Sequence, residues 1–228
     1  DAQEYKFFLT DIGYLAPEVP DFKINTTNVD DEIAKIAGPQ LVVPVDNARF
    51  ATNAANSRWW SLYDSLYGTD MIPETDGAEK GDRYNPVRGK RVISYSEQFL
   101  DEVVPLLEGS HKDVTRYEIK DTDKGMQLAA FFGAYETGLD NASQFVGYRP
   151  SGNEELSSIL LRNNGLHIEI QRDKDHYVGK YHHANVKDVL LESAITTIQD
   201  FEDAVSAVDV DDKVRVYMNW NGLMKGTL

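Results

Sequence analysis

The chain of 228 residues contains no cysteine. Disulfide frameworks, thiolate zinc sites and cysteine nucleophiles are excluded at once. It has no apolar run approaching the roughly 20 residues of a membrane-spanning helix, and no signal-peptide pattern opens it. Positive charge is scarce: 23 Lys and Arg stand against 38 Asp and Glu, a formal net charge of −15. With no basic stripe to offset it, that balance argues against nucleic acid and anionic membrane as partners. Internal repeats, P-loops, dinucleotide fingerprints and nucleophile elbows are missing too. What remains is 41% hydrophobic and 11% aromatic, a folded composition with core enough for one large or two modest domains.

The periodicity divides the chain. Tyr5, Phe7, Phe8, Leu9 and Ile12 fall at helical spacing, closed by Gly13 and Pro17. Residues 18–40 are polar and mixed. "LVVPV" at 41–45 reads as a strand buried on both faces, ended by Pro44. Residues 53–67 place Trp59, Leu62, Tyr63 and Leu66 on one helical stripe, with Trp59 and Trp60 as its core and rim. The Gly- and Pro-rich stretch 68–88 reads as a flexible loop, and an amphipathic helix follows from Val92, with Phe99, Leu100 and Val103 inward.

A β-rich part comes next: strands at 114–121 and 143–149, then a hairpin turning at Asn164-Gly165. After a polar stretch, Asn185 suits the N-cap of a helix carrying Val189, Leu190, Ala194 and Ile195. A buried segment then runs to Ile198, and residues 213–224 fit strand or helix. The two flanks resemble consecutive β-α units of a parallel sheet, with the middle inserted between them.

Two groups of residues invite a chemical reading. His176, His182 and His183 sit among lysines and an aspartate in a polar stretch, where solvated loop histidines are the simpler account, and His167 falls on the polar face of a strand. The acids after Ile198 are more informative. If 197–202 is a strand, Asp200 and Glu202 share a face and could serve a divalent cation at a strand end. On the plainer reading, Asp200 caps the next helix and Asp209, Asp211 and Asp212 solvate it.

The blocks "AGPQLVVPVDNARFATNAANSRWWSLYDSLYGTD", "YNPVRGKRVI", "FLDEVVPL", "QFVGYR", "ILLRNNGLHIEIQ", "VKDVLLESAITTIQDFEDAVSAVDVDDKV" and "NGLMKGTL" follow one another in a known order. Through them the chain resembles malate synthase, isoform G, from about Tyr5 to Leu228. The resemblance implies an acetyl-CoA/glyoxylate condensing enzyme of the glyoxylate cycle, Mg2+-dependent, on a (β/α)8 barrel interrupted by a β-rich α/β domain. It implies acetyl-CoA contacts at Val42, at Arg49 and Phe50 and at Ala204. Relatives commonly carry tyrosine where Phe50 stands and often serine where Ala204 stands, so a hydroxyl contact is lost at each. It assigns Asp200 and Glu202 to hydrogen bonds with waters on the magnesium, and places the direct metal ligands, the oxyanion arginine and the catalytic base beyond the matched segment.

The expectation is therefore α/β with an α+β insertion: incomplete (β/α)8 TIM-barrel segments flanking an inserted domain. The division runs as an N-terminal segment 1–40, first barrel strand and turn 41–58, insertion 59–187, barrel helix, strand and helix 188–225, and a truncated start at 226–228. The first residue, Asp1, and the abrupt end at "NGLMKGTL" read as a piece cut from a longer chain, inactive alone. The parent is expected to be a cytoplasmic monomer and the piece to self-associate. Two other readings stand beside this: a non-catalytic interaction or structural module, and another Mg2+-dependent acyl-CoA lyase barrel.

Overall fold

In a computed structural model, residues 1–23, 27–56, 58–151 and 156–228 are described. The chain divides into two units, Asp1–Ala34 and Lys35–Leu228. In the first, α1 (Ala2–Asp11) begins where the Asp1 carboxylate accepts the amides of Gln3 and Glu4. It stops ahead of Gly13, at φ 74°, as its spacing predicts. No residue of α1 is buried, and α2 is the single turn Asp31–Ala34.

Two strands distant in sequence open and close the architecture of the second unit. β1 (Gln40–Pro44) pairs in parallel with β10 (Thr196–Asp200), from Gln40 opposite Thr196 to Pro44 opposite Asp200. Parallel neighbours need a crossover connection, and here everything between residues 45 and 195 supplies it. Pro44 ends β1 as predicted, but the run is not buried on both faces: Val42 is 58% exposed and Ile198 49%. The physical reason is that the described residues give this sheet only two strands. α3 (Ala48–Asn56) packs on both strands and touches α6 (Val210–Lys225). Val45, Ala51 and Val216 form a small buried cluster there, flanked by Phe201, Val205 and Trp220. The ambiguous 213–224 segment is thus helix, capped by Asp209 at one end and by left-handed Gly226 at the other.

The intervening region comprises β2 (Trp59–Ser61), α4 (Leu62–Gly68), α5 (Pro86–Val103), β3 (Arg116–Thr122), β4 (Gly125–Phe132), β5 (Tyr135–Gly138), β6 (Phe145–Pro150), β7 (Leu156–Asn163), β8 (Leu166–Arg172) and β9 (Val186–Glu192). β2-β9-β8-β7-β6 form one antiparallel sheet and β3-β4-β5 another. The Asn164-Gly165 turn is where the sequence puts it, both residues at positive φ as a two-residue hairpin requires.

In this intervening region three expectations fail. The helix over 53–67 is broken, because Trp59–Ser61 pairs with β9 as an edge strand and the Ser61 hydroxyl then caps α4. Trp59 and Trp60 are therefore not core and rim of a helix. The helix from Asn185 is a strand instead. Val186, Val189 and Glu192 are its buried positions, a three-residue spacing that imitates a helical stripe. β8 and β2 flank it on both sides and decide the matter. Last, the 68–88 loop is pinned rather than loose. Arg88, fully buried, donates from Nε to the Tyr67 carbonyl at 2.7 Å and from Nη1 to those of Ile72 and Ala78 at 2.8 and 3.1 Å. Its Nη2 reaches the Thr69 carbonyl at 2.7 Å, so one side chain organises the whole excursion.

Candidate functional site

The C-terminal ends of parallel strands are where α/β proteins gather reactive groups, because loops there converge and helices begin there. In this chain β1 and β10 end side by side. The Val45 amide donates to the Asp200 carbonyl at 3.1 Å, so the two exits stay in register past the last paired residues. After β1 come Asp46 and Asn47. The Asn47 side chain accepts the Phe50 amide at 3.1 Å and starts α3. Asn219 on α6 donates to the carbonyls of Val45 and Asp46, at 2.9 and 3.0 Å, which ties that helix to the same exit.

β10 stops at Asp200, two residues short of the expected strand. Glu202 therefore does not share a strand face with Asp200; it lies in the turn that Asp200 itself builds. The Asp200 carboxylate accepts the Glu202 amide at 2.8 Å on one oxygen and the Ala204 amide at 3.0 Å on the other. Those backbone N–H groups, with the charge of Lys213 adding to them, hold its carboxyl below the usual range. Glu202 is exposed and pairs with Lys213 Nζ at 3.0 Å. The same Nζ donates to the Phe201 carbonyl at 2.5 Å. Asp46 accepts the Ser206 amide at 3.4 Å, which brings a third acid to this end.

The remaining expected residues distribute unevenly. Arg49 and Phe50 occupy the first turn of α3, at the same end as Asp200, both exposed, the guanidinium 5.7 Å from the Phe50 ring centre. Ala204 is exposed within the Asp200 turn. Val42 lies inside β1 opposite Ile198, on the uncovered surface of the strand pair. Asp46, Lys213 and Asn219 were not singled out by the sequence. Asp46, the first polar residue after an apolar run, carried a signal; the other two needed α6 to be placed.

Of the histidines read as solvated loop residues, His183 is exposed and His182 departs from that reading. His182 is buried: its Nδ1 accepts the Ala184 amide at 3.0 Å and its Nε2 lies 3.3 Å from Glu97. His167 is held by Glu192 at 2.8 Å, whose other oxygen takes Arg58 at 2.6 Å. Against the cost of burial, those bonds keep the Glu192 carboxyl below its ordinary value. Among the described residues no three His, Asp or Glu converge to hold a metal ion directly.

The family described as malate synthase G, alpha-beta insertion domain, matches residues 84–163. Malate synthase G of Corynebacterium glutamicum is 55% identical over 229 residues, covering 100% of this chain and 30% of that protein. Malate synthase G of Halalkalibacterium halodurans is 54% identical over 228 residues, with 100% and 31% coverage. That of Corynebacterium efficiens is 52% identical over 228 residues, with 100% and 30%. The chain thus spans about 30% of the length of the curated relatives it matches.

Proposed function

From the chain's homology, along its whole length, to one part of malate synthase G, we propose that it belongs to an enzyme condensing acetyl-CoA with glyoxylate and hydrolysing the thioester to malate and CoA. The observation that carries this reading is the full-chain identity. The β1–β10 pair supports the architecture proposed with it: first units of a (β/α)8 barrel, parallel and adjacent although an inserted domain separates them in sequence. We place that insertion at 59–187, between an N-terminal segment 1–40 with first barrel strand 41–58 and a returning barrel segment 188–225. β9 carries the inserted sheet on to Glu192.

Within this proposal Arg49 presents an exposed guanidinium to a CoA phosphate, the bidentate partner that group suits. Val42 and Phe50 offer apolar surface, and Ala204 offers backbone at the turn. The acids fit an outer role toward Mg2+ better than direct ligation. Both Asp200 oxygens already accept amides yet keep lone pairs for water, and Glu202 is shared with Lys213. When bound, Mg2+ would stabilise developing negative charge on an oxygen of the substrate. Asp200 and Glu202 would orient water at that end of the strands, and the Asp200 turn would fix where Ala204 and Glu202 stand.

The strand pair, with Val42 and Ile198 uncovered, is proposed to be completed by further strands of the enzyme, and the chain alone to make no malate and to self-associate through that surface. No helix of the described residues is long and apolar enough to cross a membrane; cytoplasmic placement and a monomeric parent belong to the same proposal.

The test is CoA release from acetyl-CoA with glyoxylate, by this chain and by the longer polypeptide of its reading frame. Activity is expected only in the latter. There Arg49→Ala raises the KM for acetyl-CoA and Asp200→Asn lowers kcat. Malate from the chain alone would refute its incompleteness; unchanged kinetics in both variants would remove these residues from the site.

A further inference from the structure

Away from the strand ends, a cleft of about 280 Å3 opens between α4, the start of α5 and the turn that precedes β9. Aromatic rings line part of it, from Tyr63, Tyr84, His176 and Tyr177. Tyr84 stands edge to face with Tyr177, centroids 6.0 Å apart, and Tyr177 packs against the His176 ring at 4.3 Å. Tyr84 also stacks on Tyr67 at 5.7 Å and lies over Gly89, where any β-carbon would strike its hydroxyl. That glycine lets the ring sit down on α5.

Two acids line the same space, Asp188 from β9 and Asp64 from α4. Asp188 accepts the amides of Val189 at 2.8 Å and Tyr63 at 3.3 Å. Burial nevertheless raises its carboxyl above the ordinary range, and the nearby charge of Asp64 pushes the same way. Two like charges beside aromatic rings in a half-closed space are relieved by a cation. The bordering lysine is drawn elsewhere, since Lys187 Nζ lies 3.8 Å from Asp173. His176 is engaged as well, its Nδ1 accepting the Val178 amide at 3.3 Å.

We propose that this cleft binds a small organic cation, an alkylammonium or guanidinium group, with the Tyr84 and Tyr177 rings against its charge and Asp188 and Asp64 as counter-ions. None of these residues belongs to β1, β10, α3 or α6, so the site stands apart from the strand-end reading.

The experiment is an amide-shift NMR titration of the full 228-residue chain with choline, agmatine and the neutral choline isostere 3,3-dimethylbutanol. Saturable shifts at Gly89, Val178 and Val189 are expected for a cation, with a dissociation constant on the order of 1 mM. Asp188→Asn keeps an oxygen for the two amides and weakens binding about tenfold. Asp64→Asn, at an exposed position, gives the same direction without touching those bonds. Absence of saturable shifts with both cations overturns the proposal. So does equal binding of the neutral alcohol, preferential binding of inorganic phosphate at these amides, or affinity indifferent to both asparagine variants.

Discussion

The inserted region and the strand-pair region are built from the same chain on different scales. Among the described residues, nineteen buried apolar residues form one continuous core in the first, running from Tyr63 through Ile159 and Ile170 to Val189. In the second, three do: Val45, Ala51 and Val216. Among the described residues the inserted sheet has five strands, with α4 and α5 packed in its core, and the parallel pair has two, with Val42 and Ile198 uncovered. Parallel sheets are ordinarily buried on both faces, and two strands fall short of independent stability. The contrast leads us to expect that the inserted region holds the larger share of the stability, whereas the strand pair, which holds the candidate site, leans on helices and polar ties such as Asn219 to the β1 exit.

Arg88→Ala would break the comparison most severely, because it strikes the stronger side. At least four buried or half-buried carbonyls lose their donor at once. We expect a loss of at least about 3 kcal/mol in urea unfolding and rapid proteolysis within 69–85. Arg88→Lys should recover only part of it, since one ammonium cannot span those carbonyls. A variant cut no faster than wild type would show the loop to be held by other means.

Truncations in the two cores sharpen the contrast. Leu161→Ala, at a fully buried position, should cost about 2–5 kcal/mol and lower hydrogen-exchange protection throughout β6 to β9. Val216→Ala, equally buried, should cost about 1–2 kcal/mol and change protection only in β1, β10 and α6. Equal losses in both regions from either variant would mean that they unfold as one unit.

The smallest effect concerns Asp200 and acid. Its folded carboxyl is held below the ordinary value, so its contribution is present at neutral pH and is lost as pH falls through the lowered value, below about 4. The Glu202 and Ala204 amide resonances should move with that titration. In Asp200→Asn the movement should vanish; its persistence would assign the titration to another acid.

The Asn164-Gly165 hairpin, the stop at Pro44, α1 and the C-terminal part of α5 were legible because each rests on a local backbone preference that the residue type imposes. The relation of the two flanks was legible as well, since an interrupted β-α pattern leaves its trace in order alone. Asp200 and Glu202 stood out by residue type, but their shared strand face was misjudged: the aspartate's affinity for amides two and four residues on ends the strand before Glu202.

Fixed in the amino-acid order, then, were the Asn164-Gly165 turn, the stop at Pro44, the acidic balance and the interrupted order of the two flanks, matters of local backbone preference, composition or order. Tertiary structure decided that Val186–Glu192 is a strand, because only β8 and β2 on either side could outbid a helical spacing. It decided that Arg88 is buried, because no local rule says which carbonyls will surround a guanidinium. It also decided that Asp46, Asp200, Arg49 and Lys213 share one end of a parallel pair, since strands a hundred and fifty residues apart meet only when everything between them has folded out of the way.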